Sequence, residues 1–231
     1  PEGLTALARA LGPAGETPFV ATIPDHPDLI RVVKEADERA PTNFGGGWHS
    51  DFSFQLRPPA YTLLHAVDVP AWGGDTLFSS QVAAWEALSP GMQRMLETVD
   101  AVHSAAGPYG PQARGLSGEM EHMHIENSEA ALGIQRHPLV CRHPTSGRRH
   151  LFLNRAYTVG LADMHAYEAA PLLEFLQTHA TQPAFTCRLQ WAPGTLAIWD
   201  DRTTQHYAIG DYHGFRRELL RATVAGGAPR R

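Results

Sequence analysis

A chain of 231 residues, 43% hydrophobic and 19% charged, has the size and balance of one domain with a sizeable core, which excludes a disordered segment or a stapled miniature. The formal net charge of −5 supplies no basic footprint, so the expected partner is a small molecule rather than nucleic acid or a membrane surface. Two distant cysteines, no long apolar run and no basic-then-apolar leader predict a reduced, cytoplasmic protein.

Leu4, Leu7 and Leu11 recur at helical spacing before Gly12, predicting a short amphipathic helix over residues 1–11. The chain opens with this helix already under way, which suggests further residues upstream. Strands are expected over residues 22–30 and 61–67. Ser89 and Pro90 form an N-cap and first turn, and Met92, Met95, Leu96 and Val99 then make an apolar stripe read as core. Residues 104–135, rich in Gly, Pro, His and Glu, lack a period and predict a lid loop. A helix follows over residues 171–180. Phe185, Cys187, Leu189 and Trp191 alternate with polar residues as in a half-buried strand, and residues 195–199 and 218–224 continue the pattern. Many strands between Gly/Pro turns, with few flanking helices, predict a single mainly β domain built as a jelly roll.

His49-Ser50-Asp51 places an imidazole and a carboxylate on one side of an extended segment. A third ligand from far along the chain would complete the two-histidine, one-carboxylate face that leaves positions open for substrate chemistry at non-haem Fe(II). With 13 histidines present, chance produces such a pair roughly once in two such chains, and His124-Ile125-Glu126, preceded by His122, is a rival. Context favours His49. Gly73-Gly74-Asp75-Thr76 lies downstream, and Asp200-Asp201-Arg202-Thr203-Thr204-Gln205-His206 lies near the C-terminal end, followed by Arg217 and Arg221. On a strand these two arginines share one face about 13 Å apart, enough to hold two separate anions.

Trp48-His49-Ser50-Asp51, Pro58-Pro59-Ala60, Gly73-Gly74-Asp75-Thr76-Leu77, Trp85-Glu86-Ala87-Leu88-Ser89, His143-Pro144, Ala197-Ile198-Trp199-Asp200 and Thr204-Gln205-His206 occur in the order of the taurine dioxygenase and 2,4-dichlorophenoxyacetate dioxygenase family, which the chain resembles over nearly its whole length. The resemblance implies a double-stranded β-helix, an Fe(II)- and 2-oxoglutarate-dependent dioxygenase using O2, and a homodimer or homotetramer. It assigns His49, Asp51 and His206 to the metal, Thr76 and Arg217 to the distal carboxylate of 2-oxoglutarate, and Arg221 to a substrate anion. Asn43 and Tyr109 become pocket candidates, because both flank loops placed over the iron. A guanidinium suits either anion role, since its planar fork matches a carboxylate or sulfonate.

Gly45 stands where the taurine enzyme has a polar substrate contact, and Pro108 and Tyr109 replace a serine and a phenylalanine, departures that point away from taurine itself. The expected substrate is a small anion: an alkylsulfonate, a sulfate ester, or an aryloxy or other carboxylate. Two other readings stand beside it: a jelly-roll metal-binding or structural protein without turnover, and a metal-dependent hydrolase or isomerase that needs no O2.

Overall fold

The computed structural model describes residues 1–39, 43–113 and 122–231. In chain order the elements are α1 (Glu2–Leu11), β1 (Leu29–Lys34), β2 (Tyr61–Asp68), β3 (Thr76–Ser80), α2 (Gln81–Glu86), α3 (Pro90–Leu96), β4 (Asp100–Ser104), α4 (Ala106–Tyr109), β5 (Ile134–Pro138), β6 (Val140–Arg142), β7 (Arg149–Leu151), β8 (Thr158–Leu161), α5 (Ala166–Ala180), β9 (Thr186–Leu189), β10 (Leu196–Asp200), β11 (Thr204–Ala208) and β12 (Arg217–Val224).

Two antiparallel sheets carry the fold. One runs β1-β12-β2-β10 and the other β11-β3-β9. Alternation along the strands turns Val32, Leu64, Trp199 and Leu219 of the first sheet inward, against Phe78 and Leu189 of the second, so the main core lies between them. This mainly β architecture is the jelly roll that the strand pattern predicts. Outside the first sheet, Leu4 and Ala8 of α1 cover Leu29, Leu63 and Leu220. A second core gathers α2, α3 and α5 beside the β5-β4-β8 sheet and the β6-β7 hairpin. No helix among the described residues is long and apolar enough to cross a membrane.

Capping chemistry sets several helix starts. The Ser80 and Ser89 side chains accept from the amides of Ala83 and Met92, satisfying donors that have no partner inside the first turn. Glu168 accepts from the His165 amide, and α5 therefore begins at Ala166, five residues before the expected start, with Pro171 inside it.

Other expectations also shift. The strand expected over 22–30 starts only at Leu29, because Pro24 and Pro27 sit in consecutive turns closed by an Ile23–His26 bridge. Met95 is exposed while Leu96 and Val99 are buried, so the methionine stripe is only partly core. Cys187 is exposed because β9 is the outer strand of its sheet, with only one neighbour. Within the expected lid, Ile125 bridges Val20 and packs in the main core, and residues 114–121 lie outside the described residues.

Buried histidines behind the sheets give the fold a pH dependence. Burial lowers His103 to about 3 and His150 to about 4, well under the unfolded value of 6.5. Below pH 6.5 the unfolded chain therefore holds more protons, and stability falls as pH drops toward those folded values. Going from pH 7 to 5 should cost about 2 kcal/mol per histidine, read as a lower urea midpoint; an unchanged midpoint would contradict the buried, neutral assignment.

Candidate metal centre and adjoining cavities

A single backbone pairing brings the two histidines together. His49 donates its amide to the His206 carbonyl at 3.1 Å, and His206 of β11 returns the bond at 2.8 Å. Their rings stand 4.0 Å apart, centroid to centroid. Asp51, two residues on, points the same way, with Oδ1 3.6 Å from His49 Nε2 and 3.8 Å from His206 Nε2. Immediately afterwards the chain turns sharply at Phe52, whose φ of 45° costs about 1–3 kcal/mol in a non-glycine residue. That turn buries the Phe52 ring under the Arg221 guanidinium, 4.9 Å from its centroid.

Protonation fits a cation here. The His49 Nδ1–H donates to the Gly47 carbonyl at 2.7 Å, which fixes the ring with Nε2 turned toward Asp51 Oδ1. Burial, reinforced by His49, holds His206 well below the usual imidazole range and therefore neutral. Burial alone would raise the Asp51 carboxyl, but the Arg221 guanidinium beside it is the largest opposing influence, and the carboxyl lies below the usual carboxylate range. Two imidazole nitrogens thus converge on one carboxylate oxygen, an arrangement that suits a divalent cation and matches the ligand set of Fe(II) oxygenases. Among the described residues, His49, Asp51 and His206 are the one group of three potential ligands whose donor atoms lie within 4.8 Å of one another. The rival residues His122, His124 and Glu126 are exposed and join no such group.

The second Asp51 oxygen is held from behind. Oδ2 lies 2.7 Å from Thr62 Oγ1, which is also 2.5 Å from Asp201 Oδ2. One hydroxyl carries one proton, so one carboxyl must supply another. Burial first and the Asp51 charge second raise Asp201 well above the carboxylate range, which places that proton on Asp201. Arg221 lies 2.8 Å from Asp51 Oδ2 as an ion pair, yet its Nε and that same terminal nitrogen find no hydrogen-bond acceptor. It neutralises Asp51 and keeps donors unspent.

Two cavities meet at the triad. The larger, about 360 Å³, is walled by Phe44, Phe52, Tyr109 and Tyr157, with Gly45–Gly47 on its rim and Arg221 at its base. The other is a narrow slot leading past His206 to Thr76 and Arg217. Thr76 Oγ1 accepts from Trp191 Nε1 at 3.0 Å, so its own proton is available to the slot. Arg217 is buried; its Nε donates to the Gly74 carbonyl at 3.0 Å, and no carboxylate among the described residues lies within ion-pair distance. Burial lowers its pKa, as expected of a cation without a full counter-charge.

The structure therefore brings all eight sequence-predicted residues to these cavities. Asn43 lines the larger one, but its Nδ2 is committed to the Ala208 carbonyl at 3.1 Å. Tyr109 stacks on Phe19 at 5.3 Å and faces Arg221. Tyr157 and Thr62 carry no functional spacing signal, and Trp191 stands out only as part of an alternating strand. Asp201 lies in the Asp200–His206 run noted as context, without an assigned role.

The family described as Taurine catabolism dioxygenase TauD, TfdA family matches residues 1–223. An alpha-ketoglutarate-dependent sulfonate dioxygenase of Saccharomyces cerevisiae is 33% identical over 211 residues, covering 84% of this chain and 45% of that protein. An alpha-ketoglutarate-dependent sulfate ester dioxygenase of Pseudomonas putida is 31% identical, covering 96% of this chain and 72% of its own length. A taurine dioxygenase structure from Burkholderia xenovorans superposes with a TM-score of 0.79 at 29% identity, covering 99% of this chain and 72% of that one. The chain spans about half the length of several curated relatives, including 45% of the yeast protein and 51% of a Penicillium expansum dioxygenase.

Gly74 permits the approach of Arg217. Its φ is +69°, and a Cβ there would sit 3.0 Å from Arg217 Cδ and 3.1 Å from Nε. Gly74→Ala should weaken 2-oxoglutarate binding about tenfold, equivalent to ~1.4 kcal/mol, while leaving Mn(II) affinity unchanged in calorimetry. Unaltered 2-oxoglutarate binding would remove the slot from the account.

Proposed function

The chain belongs to the taurine catabolism dioxygenase TauD, TfdA family, and from that premise we propose that it is an Fe(II)- and 2-oxoglutarate-dependent dioxygenase hydroxylating a small anionic substrate, with succinate and CO2 as co-products. The observation that carries this reading is the pair of buried arginines on β12, Arg217 in the slot and Arg221 lining both cavities beside the triad. Fe(II) held by His49, Asp51 and His206, together with 2-oxoglutarate and O2, supplies the oxidising chemistry.

The protein's share is binding, orientation and exclusion of water. Arg217 would present its fork, and Thr76 its hydroxyl, to the distal carboxylate of 2-oxoglutarate. That carboxylate completes a guanidinium otherwise buried at a cost of several kcal/mol, so binding energy comes from removing an existing penalty. Arg221 takes the substrate anion with the donors that Asp51 leaves unspent. The two arginines and a divalent cation outweigh Asp51 and the 2-oxoglutarate dianion by one formal charge, which favours an anion over a neutral substrate.

Phe44, Phe52, Tyr109 and Tyr157 enclose the substrate body in a largely aromatic wall, and Asn43 ties the Gly45–Gly47 rim to β11. Of the expected lid, we assign Gly107, Pro108 and Tyr109 to that wall. Relatives named for sulfonates and sulfate esters support an anionic substrate. Gly45 leaves the rim without a polar side chain, which favours an apolar alkyl or aryl body over taurine.

Anaerobic addition of Fe(II) and 2-oxoglutarate should produce the weak visible charge-transfer band of the chelate. Arg217→Ala should need about 100-fold more 2-oxoglutarate, the loss of a desolvated ion pair at ~3 kcal/mol; an identical band at the same concentration would count against the role. A screen of sulfonates, sulfate esters and aryloxy acids for succinate release identifies the substrate. Arg221→Ala should raise the substrate KM more than that of 2-oxoglutarate, and equal losses would contradict the division of labour. Turnover without O2 uptake would favour a hydrolase.

A further inference from the structure

Asp51 offers the metal one oxygen and not two. Oδ2 is occupied from behind by the Thr62 hydroxyl at 2.7 Å and by Arg221 at 2.8 Å, while Oδ1 faces the two imidazoles. Thr62 is in turn held by Asp201 Oδ2, and Asp201 Oδ1 accepts from Trp199 Nε1 at 2.9 Å and lies 3.4 Å from the Asp51 amide. Trp199 also packs its ring against His206, 4.7 Å between centroids. The strand register makes this possible: Trp199 of β10 pairs with Thr62 of β2, and both face the inter-sheet core.

Resting on the metal-centre reading, we propose that Thr62 and Asp201 are positioning residues that lock Asp51 as a one-oxygen ligand, with Trp199 coupling that lock to His206. The contacts fix what position 201 must supply. Its Oδ1 accepts from two N–H groups, and its other terminus must stay within hydrogen-bond reach of Thr62 Oγ1, which also reaches Asp51 Oδ2. An asparagine amide meets all of these demands, with Oδ1 accepting and Nδ2 donating. An alanine meets none. A valine at position 62 keeps the shape of threonine and removes the hydroxyl, leaving Asp51 Oδ2 free to rotate toward the metal or to draw in water.

Outer partners of metal ligands typically contribute 10–100-fold to metal affinity. Mn(II), a redox-silent probe, is titrated calorimetrically into metal-free wild type, Thr62→Val, Asp201→Asn and Asp201→Ala, with thermal melts of each metal-free protein. Thr62→Val and Asp201→Ala should weaken Mn(II) binding by about 10–100-fold, whereas Asp201→Asn should stay close to wild type. Unchanged Mn(II) affinity in a folded Thr62→Val protein overturns the lock, and a loss in Asp201→Asn matching Asp201→Ala overturns its donor and acceptor assignment. Should Thr62→Val fail to fold, the contrast between the two Asp201 variants decides the matter alone. Wild type that binds no Mn(II) overturns the underlying metal centre instead.

Discussion

Everything at the centre depends on the two backbone hydrogen bonds exchanged by His49 and His206. They join a loop residue to β11, whose own register is set by β3, where His206 pairs with Phe78 and Ala208 with Thr76. The same ladder thus fixes both the second histidine and the threonine of the slot. Backbone pairing is less sensitive to side-chain repacking than a chain of side-chain contacts, and a site carried on strands holds its geometry better than one carried on loops. Asp51 is the member that must be restrained by side chains, because Phe52 turns the chain away directly after it.

The price of this arrangement is charge in the interior. Arg217 lies buried without a carboxylate partner among the described residues, and Arg221 balances Asp51 through an ion pair whose hydrogen-bond geometry is incomplete. A hydrophobic replacement of such groups would often be neutral or stabilising. Their presence is consistent with a site that is completed by ligands: a cation between the imidazoles and Asp51, and anions at either arginine. Stability is given up locally at the site, while Val32, Leu64, Leu219 and their neighbours in the inter-sheet core hold the frame.

The jelly roll is readable from alternating apolar positions, and segment order and spacing single out eight residues that the fold places beside the two cavities. The His49–Asp51 pair alone was no better than chance; Gly73–Thr76, Arg217 and Arg221 made it specific. What escaped was physical in a different way. Thr62 meets Asp201 across 139 positions, a contact that no local period encodes. Tyr157 enters the cavity from a loop, where side-chain direction has no repeat to follow. Pro24 and Pro27 broke an expected strand through turn chemistry that outweighed the apolar pattern. Met95 and Cys187 were assigned inward because periodicity identifies a face and not what covers it.

The central claim is that one cation sits between His49, Asp51 and His206, and counting bound metal tests it most directly. Electron paramagnetic resonance titration of Mn(II) into the metal-free protein should reach one bound ion per chain, and Asp51→Ala should abolish that site. A wild type that binds none, or a site that survives intact in Asp51→Ala, would contradict the account.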